Sequence, residues 1–121
     1  ANIFGSVNFD EGSGWSSSSS GVTVPAAGIY LCIAQISLTS GGQRAQPVFR
    51  FGVNGTQTGP ESTHAYIRNS ISINENNCAL VVTLDLSASD VVGIFCRNEG
   101  NNTNPRSTVG SKSQFSFVKL T

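Results

Sequence analysis

The stretch from Val22 to Leu38, Val-Thr-Val-Pro-Ala-Ala-Gly-Ile-Tyr-Leu-Cys-Ile-Ala-Gln-Ile-Ser-Leu, restricts the possible folds of this chain more than any other segment. It reads as a short strand, a turn built on Pro25 and Gly28, and then a long run with no helical period. In an extended backbone Tyr30, Cys32, Ala34, Ile36 and Leu38 share one face. Ile29, Leu31 and Ile33 share the other, followed by Gln35 and Ser37. A strand that is apolar on both faces at its start and on one face at its end is expected to be covered twice. One cover is the core of its own fold, and a neighbouring subunit is a candidate for the other. The pattern points to an all-β interaction module before it points to an enzyme.

The segments on either side repeat the same grammar. Ile3 to Phe9 is a first strand candidate, with Ile3, Val7 and Phe9 on one face. Asp10 to Gly21 reads as a polar loop holding five consecutive serines, a flexible spacer, and the only tryptophan, Trp15. That tryptophan either pins the loop to the core or contacts a partner or ligand. Thr39 to Gln46 reads as a loop containing Arg44, and Pro47 to Val53 as a strand with Phe49, Phe51 and Val53 on one face. Asn54-Gly55 is a strong hairpin signal, because both residue types accept the positive φ of a type I′ turn. Gly59-Pro60-Glu61 reads as a further turn, Ala65 to Ile73 as an alternating strand, and Asn74 to Asn77 as a polar turn.

Leu80, Val82, Leu84 and Leu86 make the next apolar face, and Ser87 to Asp90 turns the chain into Val91 to Cys96. Arg97 to Lys112 reads as a long Asn-, Gly- and Ser-rich loop containing Arg106, before a closing strand from Phe115 to Leu120. With no helical stripe and about eight to ten short strands, the expected class is all-β, a jelly-roll β-sandwich of antiparallel strands. A length of 121 residues suits one domain spanning 1–121 with a full hydrophobic core.

Composition narrows the partners. Seven basic and seven acidic residues give a formal net charge of zero, so no field favours nucleic acid or an anionic membrane. No apolar run approaches the roughly 20 residues of a membrane helix, and membrane insertion is not expected. Only 12% of the residues are charged, which favours self-association. Cys32, Cys78 and Cys96 are odd in number and lack metal-ligand spacing. Cys32 and Cys96 read as small buried hydrophobes suited to a reducing cytosol, with one disulfide and a leftover thiol as the alternative. No targeting signal is visible in the sequence.

Four segments, in order, resemble the C1q/TNF-like family of trimeric jelly rolls. They are Val22 to Tyr30 with its Pro25 and Gly28, then Val53-Asn54-Gly55, then Leu84, Leu86, Asp90 and Val92, and finally Phe115-Ser116. Ser89 stands where the family has glycine before the aspartate, Phe117 replaces a closing glycine, and no collagen-like stalk is present. The match looks most like the stalkless versions on phage and other viral particles. The resemblance implies a homotrimer whose inner sheets meet along a threefold axis. Ile29, Tyr30, Leu31, Ile33 and Phe117 are the residues set against that axis, with the monomer core as the other placement for Tyr30 and Phe117.

No chemistry gathers around His64, the only histidine, and the acidic residues form no acid–base couple. No catalytic residue, metal site or cofactor is expected, and the chain is not expected to be an enzyme. The functional expectation is a trimeric protein of the virion surface, assembled in a host cytoplasm. It would bind capsid or fibre proteins, as a capsid decoration protein or a fibre head. The alternative is a secreted carbohydrate- or receptor-binding module of C1q-like lectin type. Its contacts to a host-surface glycan or receptor would be Trp15, Arg44 and Arg106.

Overall fold

The alternation at period two is realised as backbone pairing. A computed structural model describes residues 14–18, 20–40, 44–62, 66–68, 75–98, 106–108 and 112–121. Among these residues the strands are β1 (Ser16–Ser18), β2 (Gly21–Thr23), β3 (Gly28–Ser40), β4 (Arg44–Ala45), β5 (Pro47–Val53) and β6 (Thr56–Glu61). They continue with β7 (Ile67–Arg68), β8 (Glu75–Leu86), β9 (Val91–Asn98), β10 (Arg106–Thr108) and β11 (Gln114–Lys119). The Ile3 to Phe9 candidate, His64 and most of the Ala65 to Ile73 candidate lie outside the described residues.

The strands form a jelly-roll β-sandwich. A front sheet has the order β1-β2-β9-β5-β6, and β4 pairs β7 in a small separate ladder. In the back sheet β3 is central, with β8 along one edge and β10 and β11 along the other. All pairings are antiparallel. Between β10 and β11 the hydroxyl of Ser113 takes the place of a backbone partner: the Ser37 N–H donates to its Oγ at 3.0 Å.

The core fills the space between the sheets. From the back come Tyr30, Cys32, Ala34, Ile36 and Leu38 of β3 and Cys78, Leu80, Val82, Leu84 and Leu86 of β8. From the front come Phe49 and Phe51 of β5 and Val92 of β9. Phe51 and Phe117 bridge the two sheets edge to face, their ring centroids 6.3 Å apart. Such buried aromatic and aliphatic side chains each contribute about 1.5–3 kcal/mol by leaving water.

Several segments read as turns or loops are strands instead. Ser16–Ser18 of the serine run pairs with β2, since an exposed edge strand needs only its backbone groups. Gly59-Pro60-Glu61 belongs to β6, where Gly59 has φ +77° and the ladder to β5 shifts register between Arg50 and Gly52. That is a bulged edge strand, in which the proline has no inner ladder to interrupt. Glu75 to Asn77 extends β8, paired with Thr39 to Ser37. Arg44 and Arg106 likewise lie in strands, β4 and β10.

One end of the sandwich is tied by a knot of polar groups. Asn54 and Gly55 both take positive φ, 52° and 85°, as a type I′ hairpin requires. The Asn54 Nδ2 donates to Asp90 Oδ1 at 2.9 Å, and the Val91 N–H donates to Asn54 Oδ1 at 3.0 Å. The Ser87 N–H donates to Asp90 Oδ2 at 2.8 Å, and the Ser89 N–H donates to the Val24 carbonyl at 2.9 Å. Ser89 itself is held at φ +71°, a conformation that strains any residue with a Cβ.

Ser89→Gly should therefore stabilise the fold by about 0.5–1 kcal/mol, visible as a rise in Tm, because relieved strain exceeds the added chain entropy. A fall in Tm would mean that Ser89 rests without strain. The Ser87 N–H, and after it the Asn54 amide, holds the Asp90 carboxyl below the usual carboxylate range. A folded pKa below the unfolded one stabilises fully above the ordinary aspartate value and ceases to do so as pH falls through the folded value. The Tm gap between the wild type and Asp90→Ala should be constant near neutral pH and shrink below about pH 4.

Candidate functional site

The back sheet is closed on its inner side by the core and presents its other side outward. Register places three rows there. Leu31 of β3 lies between Thr83 of β8 and Val118 of β11, and Ile33 lies between Val81 and Ser116. Ile29 lies beside Asp85, and its carbonyl accepts the Leu120 N–H at 2.7 Å, which brings the C-terminal residues alongside. Val81 is 60% exposed, Val118 49% and Leu120 53%, while Ile29, Leu31 and Ile33 are half-buried between them.

Toward the other end of β3 the same face turns polar, through Gln35 beside Ala79 and Gln114, and Ser37 beside Asn77. There Lys112 Nζ lies 2.8 Å from Glu75 Oε2. The result is an apolar strip at one end of an otherwise polar face, with valines whose side chains stand in water. Contiguous exposed apolar side chains rimmed by polar residues are the composition of an interaction surface.

Of the five residues set against a threefold axis, Ile29, Leu31 and Ile33 lie in this strip. Tyr30 and Phe117 do not. Tyr30 is 1% exposed, its hydroxyl donates to the Ala26 carbonyl at 2.7 Å, and its ring packs against Trp15 at 5.7 Å. Phe117 packs 5.8 Å from Trp15 and toward Phe51. Side chains of successive strand residues point to opposite faces, so Tyr30 cannot share a surface with Ile29 and Leu31.

Trp15, Arg44 and Arg106 do not converge. Trp15 is half-buried against Tyr30 and Phe117 and pins the start of β1 to the core. Arg106 is paired with Ser40, ten residues further along β3 than Tyr30 and hence about 33 Å away along the strand. Arg44 is held in β4, across from Arg68 of β7, four residues beyond Ser40. Tyr66, on the chain just before β7, is 49% exposed, and its carbonyl accepts from Asn76 Nδ2 at 2.7 Å.

The cysteines divide differently from the sequence expectation. Cys32 and Cys78 are buried, whereas Cys96 is exposed near the end of β9, and no disulfide joins the three. Burial pushes the Cys32 thiol up to about 11. Burial also pushes Cys78 up to about 11, against the opposing hydrogen bond of Ser62 and with a smaller push from Cys96. Among the described residues no three His, Cys, Asp or Glu side chains come together as metal ligands, and no helix is long and apolar enough to cross a membrane.

No protein-family model and no curated protein matches the sequence. Solved structures do match the fold. One is a TNF protein, Eiger of S. frugiperda, with a TM-score of 0.56 at 20% identity, over 88% of this chain and 69% of that one. The chain thus has a TNF-like fold.

A thiol reagent at neutral pH should modify Cys96 rapidly and leave Cys32 and Cys78 intact until the protein is denatured, as intact-mass spectrometry would show. Native modification of Cys32 would contradict its placement in the core.

Proposed function

We propose that this chain is a non-enzymatic module that works as a homotrimer, with the outward face of the back sheet forming the contact between copies. The observation that carries this reading is the strip of Ile29, Leu31, Ile33, Val81 and Val118 on that face. An identical apolar surface on every copy suits a closed symmetric ring, which buries each strip without leaving an open end. A formal net charge of zero lets like chains approach without repulsion. The TNF-like fold supports the same reading, as does the sequence resemblance to trimeric jelly rolls.

The finer reading concerns where such a trimer acts. We place it at the surface of a virus or phage particle, as a capsid decoration protein or the head of a fibre, in contact with capsid or fibre proteins. Three equivalent faces match a threefold position on a shell or the tip of a trimeric fibre, and weak contacts on each subunit add through multivalency. Polar Ser-, Asn- and Gly-rich segments with little charge suit contacts of that kind.

Light scattering at micromolar concentration should give the mass of three chains. Val81→Asp should release folded monomers, because Val81 is 60% exposed and contributes little to the monomer core. Tyr30→Phe should instead lower stability by about 1 kcal/mol through the lost bond to Ala26 and leave the trimer mass unchanged. A monomer mass for the wild type would remove the trimer. For the finer reading, a decoration protein added to bare capsids should bind saturably in multiples of three and raise the shell's disruption temperature. A fibre head should compete with particles for host cells. Failure of both, with tight binding to a defined glycan, would move the assignment to a lectin.

A further inference from the structure

The front sheet also has an outward face, and its chemistry is different. Register sets Arg50 of β5 between Phe95 of β9 and Glu61 of β6, Val48 beside Arg97, and Gly52 between Gly93 and Gln57. Val48, Arg50, Gln57, Glu61, Phe95 and Arg97, with Phe49 and Cys96, border a shallow depression of about 70 Å³. Its shape depends on Gly52: a Cβ there would stand 2.2 Å from Phe95 Cε2, so any other residue would displace the aromatic ring.

The charges in the depression do not cancel. Arg97 donates to Glu61, with Nη2 at 2.9 and 2.8 Å from the two carboxylate oxygens and Nε at 3.2 Å from one of them. That pair is neutral as a unit. Arg50 donates through Nε to the Gly59 carbonyl at 2.6 Å, and its two Nη groups have no protein partner among the described residues. The Nε bond fixes the plane of the guanidinium and leaves one face of its donor fork open. Half-buried Phe95 and buried Val48 exclude water on the flanks, which strengthens any charge-assisted bond made there.

We infer that this depression is a binding site for the carboxylate of an acidic sugar, with Arg50 as its anchor. One open guanidinium beside a neutral ion pair matches a singly charged, planar acceptor better than a doubly charged phosphate. The carboxylate accepts two parallel N–H bonds from the Arg50 Nη groups. The ring lies against Phe95, and its hydroxyls meet the Gln57 amide and the outer lone pairs of Glu61. None of these residues lies on the back sheet, so the site is independent of the trimer contact.

Titration of the ¹⁵N-labelled full chain with glucuronate tests this. Saturable shifts centred on Arg50, Gln57 and Phe95 are expected, with a Kd on the order of 1 mM. Glucose, acetate and phosphate should each bind at least tenfold more weakly. Arg50→Gln should weaken glucuronate binding at least tenfold, and Gln57→Ala, at an exposed position, several-fold in a chain whose spectrum remains that of the folded protein. No shift at Arg50, or equal binding by Arg50→Gln, overturns the site. Equal binding of acetate or glucose overturns the acidic sugar as ligand, and equal binding of phosphate overturns the carboxylate preference.

Discussion

The pairing of β3 with β8 is the constraint on which the rest of the structure depends. It runs without interruption from Gly28 opposite Leu86 to Thr39 opposite Glu75. Because side chains alternate with period two, this one register decides both surfaces of the back sheet. It sends Tyr30, Cys32 and Ala34 with Leu84, Val82 and Leu80 into the core, and Leu31 and Ile33 with Thr83 and Val81 outward. A slip by one residue would exchange the two sets, expelling the tyrosine and the leucines. The buried β8 residues therefore hold the outward strip in place as firmly as they hold the core.

The parts of this arrangement legible in the sequence are those where side chains alternate. Pro47 to Val53, the Leu80, Val82, Leu84 and Leu86 face of β8 and the Asn54-Gly55 hairpin could be read directly, because a half-buried strand and a type I′ turn each impose a residue pattern. Ser16–Ser18, Glu75 to Asn77, Arg44 and Arg106 could not. Their pairing is made by backbone groups, and their side chains carry no alternation. Gly59-Pro60 has the composition of a turn, yet it lies on the outer edge of the front sheet, where a bulge and a proline are both tolerated.

Surface placement was harder to read than strand placement. Parity separates Tyr30 from Ile29, but a sequence does not say which face of a doubly apolar strand meets its own core. Trp15 settles the matter by closing over Tyr30 and Phe117, a contact between segments far apart in the chain. Cys96 shares the register position of Phe49 but lies near the end of β9, where parity no longer reports depth. The Arg50 depression left one trace, a charged residue between Phe49 and Phe51, which marks it as outward-facing. Its partners Glu61, Phe95 and Arg97 come from two other strands and were invisible without the register.

The two outward faces therefore divide their chemistry. The back sheet offers an apolar strip with no open charged donor within it, suited to a surface that meets a copy of itself. The front sheet offers a guanidinium with open donors beside an aromatic wall, suited to a small polar ligand. Copies joined through the back sheet would carry their front sheets away from the contact, so one assembly would display three Arg50 depressions at fixed spacing. A millimolar site is of little use alone. Three held rigidly on one particle gain effective concentration, and avidity can exceed the single-site affinity by about 10²–10⁴-fold when the geometry allows simultaneous engagement. Trimerisation and a weak surface site would then be two parts of one binding device, which needs neither a deep pocket nor a catalytic group.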